Sequence, residues 1–186
     1  MRKLSVFNSI SLDGFFVDAH NEISWAHKND EEWTAFVGAN AAGGGTLLFG
    51  RITYEMMASF WPTPMAAETM PKVAEQMNTL PKVVFSRSLK EATWQNTRLV
   101  KTDIAAEVRR MKEEPGEGMV ILGSGSIVSQ LTQGRLIDEY QIALCPVVLG
   151  QGRTMFEGFE GKLDLRLTEQ RVFRNGTIFL RYQSTS

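Results

Sequence analysis

The stretch Leu47-Leu48-Phe49-Gly50-Arg51-Ile52-Thr53-Tyr54-Glu55 decides the fold class. Three apolar residues end at a glycine, and a helical pattern begins at once. That is a buried strand running into a helix through a tight turn. The same switch recurs along the chain. Strands are predicted over Leu4–Ile10, Thr46–Phe49, Lys82–Ser86, Met119–Leu122 and Tyr140–Val148, with a further short one near Arg98–Lys101. Helices are predicted over Glu31–Ala41, Thr53–Phe60, Ala66–Asn78, Ile104–Lys112 and Ser126–Leu131. Short strands separated by helices of this size imply βαβ units and a mainly parallel sheet.

The C-terminal part reads differently. Asp164–Phe173 and Thr177–Tyr182 both have strand character, and Arg174-Asn175-Gly176 joins them. Asn-Gly suits a two-residue type I′ turn, because both residues tolerate positive φ. An antiparallel hairpin is therefore expected to finish a mixed sheet. Gly43-Gly44-Gly45 reads as a flexible link into the second strand, and Pro115-Gly116 as the break between a helix and a strand.

Composition narrows the function. A chain of 186 residues suits one domain, here 1–186. Its 43% hydrophobic and 22% charged residues argue for a folded globular protein over a disordered one. The net charge is −1 and Lys and Arg form no cluster, so no nucleic-acid partner is expected. No apolar run approaches the ~20 residues of a spanning helix, so no membrane partner is expected either. The opening Met1-Arg2-Lys3-Leu4-Ser5-Val6-Phe7 enters a strand pattern without the apolar segment of a signal peptide, and a cytoplasmic location is expected. Cys145 is the only cysteine, which rules out an intrachain disulfide and a Cys-rich zinc site.

Three segments carry groups suited to phosphate. At Gly50 a helix begins where a strand ends, and helix N-termini attract anions through free N–H groups and the helix dipole. Arg51 adds a charge and a fork of donors, and Thr53 is a cap or a ligand. In Lys82-Val83-Val84-Phe85-Ser86-Arg87-Ser88, a buried strand ends in a hydroxyl and a guanidinium. Ligands of parallel sheets sit beyond such strand ends. In Met119-Val120-Ile121-Leu122-Gly123-Ser124-Gly125-Ser126, a strand enters a turn of small residues, which let the backbone approach a pyrophosphate. It is not the dinucleotide fingerprint, because Val128 stands where the third glycine belongs. In a single parallel sheet all three strand ends share one rim.

These segments, in this order, resemble dihydrofolate reductases and, more closely, the C-terminal reductase domain of the bifunctional riboflavin deaminase-reductases. The resemblance covers nearly the whole chain. Phe7-Asn8-Ser9-Ile10-Ser11-Leu12-Asp13-Gly14 is similar to that group's first strand and Ser-x-Asp-Gly turn. Gly50-Arg51-Ile52-Thr53 is similar to its Gly-Arg-x-Thr motif. Pro146-Val147-Val148-Leu149-Gly150-Gln151-Gly152-Arg153-Thr154-Met155-Phe156 resembles the late strand and glycine loop of the riboflavin-type branch. The resemblance implies a three-layer αβα fold, NADPH as cofactor, a small-molecule substrate and a homodimer. It implies that Gly50, Arg51 and Thr53 line the cofactor phosphates, and that Arg51, Ser86 and Arg87 surround the 2′-phosphate. By the same resemblance Gly123, Ser124, Gly125 and Ser126 take the pyrophosphate.

Two departures shape the substrate. The zinc deaminase signature, His-x-Glu followed by Pro-Cys-x-x-Cys, is absent. Dihydrofolate reductases carry an arginine shortly after a Leu-Pro pair, whereas here Leu80-Pro81 leads straight into Lys82-Val83-Val84-Phe85. The expected function is therefore an NADPH-dependent reductase acting on a small heterocyclic or carbonyl compound. Dihydrofolate reductase activity, and a nucleotide-binding module without turnover, are the alternatives.

Hydride transfer leaves the protein to position its reactants and supply a proton. Asp13 is one candidate donor near the substrate, or else an Asp-Gly turn residue. Asp30, five residues beyond Trp25, has the spacing of the folate-reductase acid, or else belongs to an ordinary acidic helix start with Glu31 and Glu32. Trp25 is a candidate wall for a flat ring, or a core aromatic. His20 and His27 lack metal spacing and read as surface residues. Tyr54 and Glu55 face cofactor or solvent. Cys145 reads as an inert core thiol, and Met56, Met57, Met65 and Met70 as packing residues.

Overall fold

Strands that are apolar along their whole length need cover on both faces, and the central strands of this chain are of that kind. The computed structural model describes residues 1–27, 30–41 and 45–185. Six mutually parallel strands come first: β1 (Leu4–Ser11), β3 (Thr46–Gly50), β4 (Lys82–Phe85), β5 (Thr97–Val100), β6 (Met119–Leu122) and β7 (Glu139–Cys145). With β9 (Leu165–Val172) and β10 (Ile178–Ser184) they form one eight-stranded sheet in the order β5-β4-β3-β6-β1-β7-β10-β9. Only β10 runs against the rest, because it pairs antiparallel with both β7 and β9. A second small sheet, β2 (Phe15–Asp18) with β8 (Gly152–Thr154), was not among the strands the sequence predicts.

The helices are α1 (Glu31–Ala41), α2 (Arg51–Phe60), α3 (Pro64–Thr69), α4 (Pro71–Thr79), α5 (Ile104–Glu113) and α6 (Gly125–Gln133), with a single 3-10 turn at Ser24–Ala26. Successive side chains of a strand point to opposite faces, and the core divides accordingly. On one face Leu4, Val6, Leu48, Met119 and Ile121 pack with Val108 and Met111 of α5 and Ile127, Val128 and Leu131 of α6. The other face carries two clusters. Leu47, Phe49 and Val84 pack with Tyr54 of α2 and Val73 and Met77 of α4. Ala143 and Phe179 pack with Trp33 and Phe36 of α1 and with Phe173. This is the three-layer arrangement that the resemblance implies.

The differences from the predicted elements have local causes. The predicted helix Ala66–Asn78 is two helices, because Met70 (φ −140°, ψ 62°) stands before Pro71. A proline drives the preceding residue out of the helical region and itself suits a first turn. The strand predicted to reach Val148 ends at Cys145, before Pro146, which has no N–H for a ladder. The hairpin loop has three residues, not two. Gly176 N–H donates to the Phe173 carbonyl and Phe173 N–H to that of Thr177, both at 2.9 Å. Of Arg174, Asn175 and Gly176, only the glycine has positive φ (85°). Asn175 instead uses its side-chain oxygen to accept the Thr177 N–H at 2.9 Å. The predicted link at Gly43-Gly44 lies outside the described residues.

Lys82 is 1% exposed and acts as a C-terminal cap. Its Nζ donates to the carbonyls of Met77 (2.8 Å), Leu80 (2.7 Å) and Asn78 (3.2 Å), at the end of α4. It also lies 4.6 Å from the Trp94 ring centroid. Burial pulls its ammonium from the ordinary 10.5 down to about 8. Between those values the unfolded chain binds more protons than the folded one, so stability rises with pH across that window. Urea midpoints of the wild type should therefore climb relative to Lys82→Met as pH goes from about 8 to about 10.5. Parallel midpoints for the two proteins would refute this account of Lys82.

Candidate functional site

Two strand-to-helix turns meet on the C-terminal rim of the sheet. One is Gly50 into α2, and the other is Gly123-Ser124 into α6. Ser124 joins them. Its Oγ accepts the Gly50 N–H at 2.9 Å and donates to the Leu122 carbonyl at 2.9 Å, while its own N–H donates to Thr53 Oγ1 at 3.1 Å. Ser124 is 6% exposed and left-handed (φ 58°, ψ 51°). Gly123 is left-handed as well (φ 58°), and a Cβ there would stand 2.9 Å from Thr53 Oγ1. At Gly125 a Cβ would stand 2.5 Å from the Phe16 ring. The glycines thus let the protein pack closely against itself at the rim. Neither helix has a side-chain cap at its N-terminus.

A cavity of about 530 Å³ opens at this rim. Gly50, Arg51, Thr53 and residues Gly123 to Ser126 line it, so six of the predicted cofactor residues besides Thr53 share one space. From there the cavity runs down the face with two clusters, into the gap between α1 and α4. Trp33, Val37 and Asn40 of α1, spaced for one helix face, line it from one side, and Val73 and Met77 of α4 from the other. Ser86 and Arg87 are not among its lining residues. Ser86 follows Phe85, whose register partner is Gly50, so Ser86 and Arg51 leave adjacent strands side by side. Ser86 Oγ accepts the N–H groups of Leu89 (2.9 Å) and Ser88 (3.2 Å), and Arg87 is exposed. Arg51 is exposed and pairs with Glu55 at 3.0 Å.

A family model described as the RibD C-terminal domain matches residues 2–179. The chain belongs to the RibD C-terminal domain family. It is 25% identical over 182 residues to the uncharacterized protein YyaP of Bacillus subtilis (strain 168), covering 97% of this chain and 94% of that one. A protein named for riboflavin biosynthesis from Shewanella sp. PV-4 has a similar structure, with a TM-score of 0.76 at 24% identity and 99% of each chain covered. The diaminohydroxyphosphoribosylaminopyrimidine deaminase/5-amino-6-(5-phosphoribosylamino)uracil reductase of Thermotoga maritima superposes with a TM-score of 0.69 at 12% identity. It covers 98% of this chain but only 56% of its own length is matched, in keeping with the missing deaminase signature. At these identities the structures establish the fold.

In this RibD C-terminal domain the two predicted acids have other partners. Asp13 Oδ2 accepts the Gly150 N–H at 2.7 Å and Oδ1 that of Leu149 at 3.1 Å. The Ser11 hydroxyl, then these backbone N–H groups, hold the Asp13 carboxyl down at about 2. Through these bonds Asp13 clamps its own turn to the loop at Leu149-Gly150. Asp30 Oδ1 accepts the Trp33 N–H at 2.7 Å, which makes it the N-cap of α1. Neither acid is among the cavity's lining residues.

Trp25 bonds the Glu22 carbonyl at 3.1 Å and lies off the cavity, whereas Trp33 lines it. Sequence reasoning missed Trp33, although its spacing to Val37 and Asn40 was readable. Lys82, in the place after Leu80-Pro81, is turned into the end of α4 and offers nothing to a ligand carboxylate. Tyr54 is buried and accepts the Trp94 N–H at 2.9 Å. His20 and His27 are exposed, and no metal-binding cluster occurs among the described residues. No described helix is long and apolar enough to cross a membrane. Met57 and Met70 pack against a core cluster, while Met56 and Met65 are exposed.

Two outcomes test this geometry. Gly125→Ala should cost about 1–3 kcal/mol in urea unfolding through overpacking, and Phe16→Leu in the same chain should recover most of it. An unchanged loss in the double variant would discard the Phe16 contact as the cause. For Asp13 the folded value lies below the ordinary 3.8, so its contribution is present above that pH and lost as pH falls toward 2. The acid limb of unfolding should then flatten in Asp13→Asn relative to wild type, as read by circular dichroism across that range.

Proposed function

We propose that this protein is an NADPH-dependent reductase passing hydride to a small heterocyclic or carbonyl compound. One observation carries the reading. Two helix N-termini without side-chain caps, those of α2 and α6, sit together at the mouth of one cavity, with Arg51 beside them. Such ends present free N–H groups and a partial positive charge, so a diphosphate lying across both is held twice. The Ser126 side chain is exposed at the same mouth and completes the set for the pyrophosphate.

The strand register supports the 2′-phosphate assignment. Arg51 and Ser86 leave adjacent strands side by side, and Arg87 follows. Arg51's existing partner, Glu55, is an exposed ion pair four residues along one helix, which is weak enough to yield to a phosphate. When bound, the dihydronicotinamide supplies hydride. The chain's own work is to hold the two rings together and exclude water in the gap between α1 and α4. Family membership supports the reductase class, and the resemblance extends the reading to a cytoplasmic homodimer.

Arg51→Ala should weaken NADPH binding by about 1–3 kcal/mol, the scale of a charge-assisted hydrogen bond, and leave NADH nearly unchanged. Thermal-shift titrations of both cofactors measure this. Equal losses would remove Arg51 from the 2′-phosphate site, and a wild type shifted by neither cofactor would end the reductase reading.

A further inference from the structure

We infer that the acceptor is an uncharged, planar, largely apolar carbonyl compound of the quinone class, and not a phosphorylated heterocycle. This deepens the reductase reading and rests on it, but concerns the opposite end of the cavity. Phe7 of β1, Trp33 and Val37 of α1, Val73 and Met77 of α4 and Val120 of β6 wall that end. Ser9 lies on the same face of β1 as Phe7, and Asn40 on the same face of α1 as Trp33. Ser9 and Asn40 line the cavity as well, as does Asn8 next to Phe7. Asn40 Nδ2 donates to Gln141 Oε1 at 2.9 Å and Asn8 Nδ2 to the Gly123 carbonyl at 3.1 Å, so the Ser9 hydroxyl is a donor suited to a carbonyl oxygen.

The charges of the lining decide the class. Among the described residues that line the cavity there is no Asp, Glu or Lys. Its two arginines each face a carboxylate four residues on, Arg51 with Glu55 at 3.0 Å and Arg153 with Glu157 at 3.2 Å. Both arginine side chains are 44% exposed, as befits residues at a mouth, and His27 is exposed too. A phosphate or carboxylate carried into the apolar end would lose its hydration without gaining a partner, whereas a neutral ring loses little.

The missing acid points the same way. In the reaction the dihydronicotinamide C4–H bond breaks with both electrons and the quinone takes the hydride. The cofactor is oxidised, and the quinone is reduced to a hydroquinone monoanion. A phenolate of pKa about 10 takes its proton from solvent water as the product leaves, without a protein acid. An imine or an isolated alkene acceptor would need an acid positioned beside it, whereas the described lining holds no Asp, Glu or Lys and its His27 is exposed.

Menadione, an uncharged naphthoquinone, is the probe, and uridine monophosphate the charged control. Menadione should quench the tryptophan emission of the intact protein and sustain NADPH oxidation. Uridine monophosphate, added with NADP+ present, should not quench that emission. Val37→Asp should raise the Kd and KM for menadione about tenfold or more by putting a carboxylate in the wall, with the thermal shift by NADPH unchanged. A wild type stabilised by NADPH but silent to menadione, or one that binds uridine monophosphate more tightly, overturns the inference and leaves the reductase reading standing. Menadione binding without any response to NADPH upholds the apolar acceptor site and defeats the reductase reading instead.

Discussion

The side chain of Ser124 holds the candidate site together. Its Oγ accepts the Gly50 N–H and the residue's own N–H donates to Thr53, so two bonds cross from the β6–α6 turn to the β3–α2 turn and fix how far apart the two helix ends stand. The residue takes a left-handed conformation to do this, which costs a non-glycine residue about 1–2 kcal/mol. Three hydrogen bonds in a buried setting offset that cost. Thr53 accepts the Ser124 N–H and at the same time crowds Gly123, while Phe16 crowds Gly125. The rim is therefore set by protein packing before any ligand arrives. A site built in advance spends little binding energy on ordering itself.

The two faces of the sheet differ in a way that bears on function. The α5–α6 face holds one continuous apolar cluster. The opposite face holds two, one under α2 and α4 and one under α1. Protein interiors pack to crystal-like density, so a gap of about 530 Å³ between two such clusters is not a packing accident. It has the volume and apolar lining of a small-molecule pocket, with its polar groups gathered at one end. The division of the core and the position of the cavity are one fact.

The order and type of most elements were legible in the sequence, because buried strands and amphipathic helices leave different periods. Glu31–Ala41 and Met119–Leu122 have the bounds their periods predict. The split at Met70 and the three-residue hairpin loop were hidden, since each depends on local backbone chemistry that overrides a good periodic pattern. The β2–β8 ribbon was hidden for another reason. Its strands are short, and each is defined by a partner far along the chain. At the site, Arg51, Thr53 and the turn from Gly123 were readable as strand ends. The work of Ser124 was not, because Gly50 lies 74 residues away. The backbone partners of Asp13 and Asp30 were hidden too, because composition cannot distinguish a free carboxylate from one already holding backbone N–H groups.

The place of β1 in the sheet has a bearing on how the chain is made. β1 lies inside the sheet, between β6 and β7, with Leu4 beside Met119 and Ser5 beside Glu139. Both neighbours are translated long after it. Until they emerge, Leu4 and Val6, fully buried in the finished fold, have no lasting cover. Nascent chains of this architecture expose the apolar β1 segment until β6 and β7 have emerged, which makes that segment a natural contact for holding chaperones.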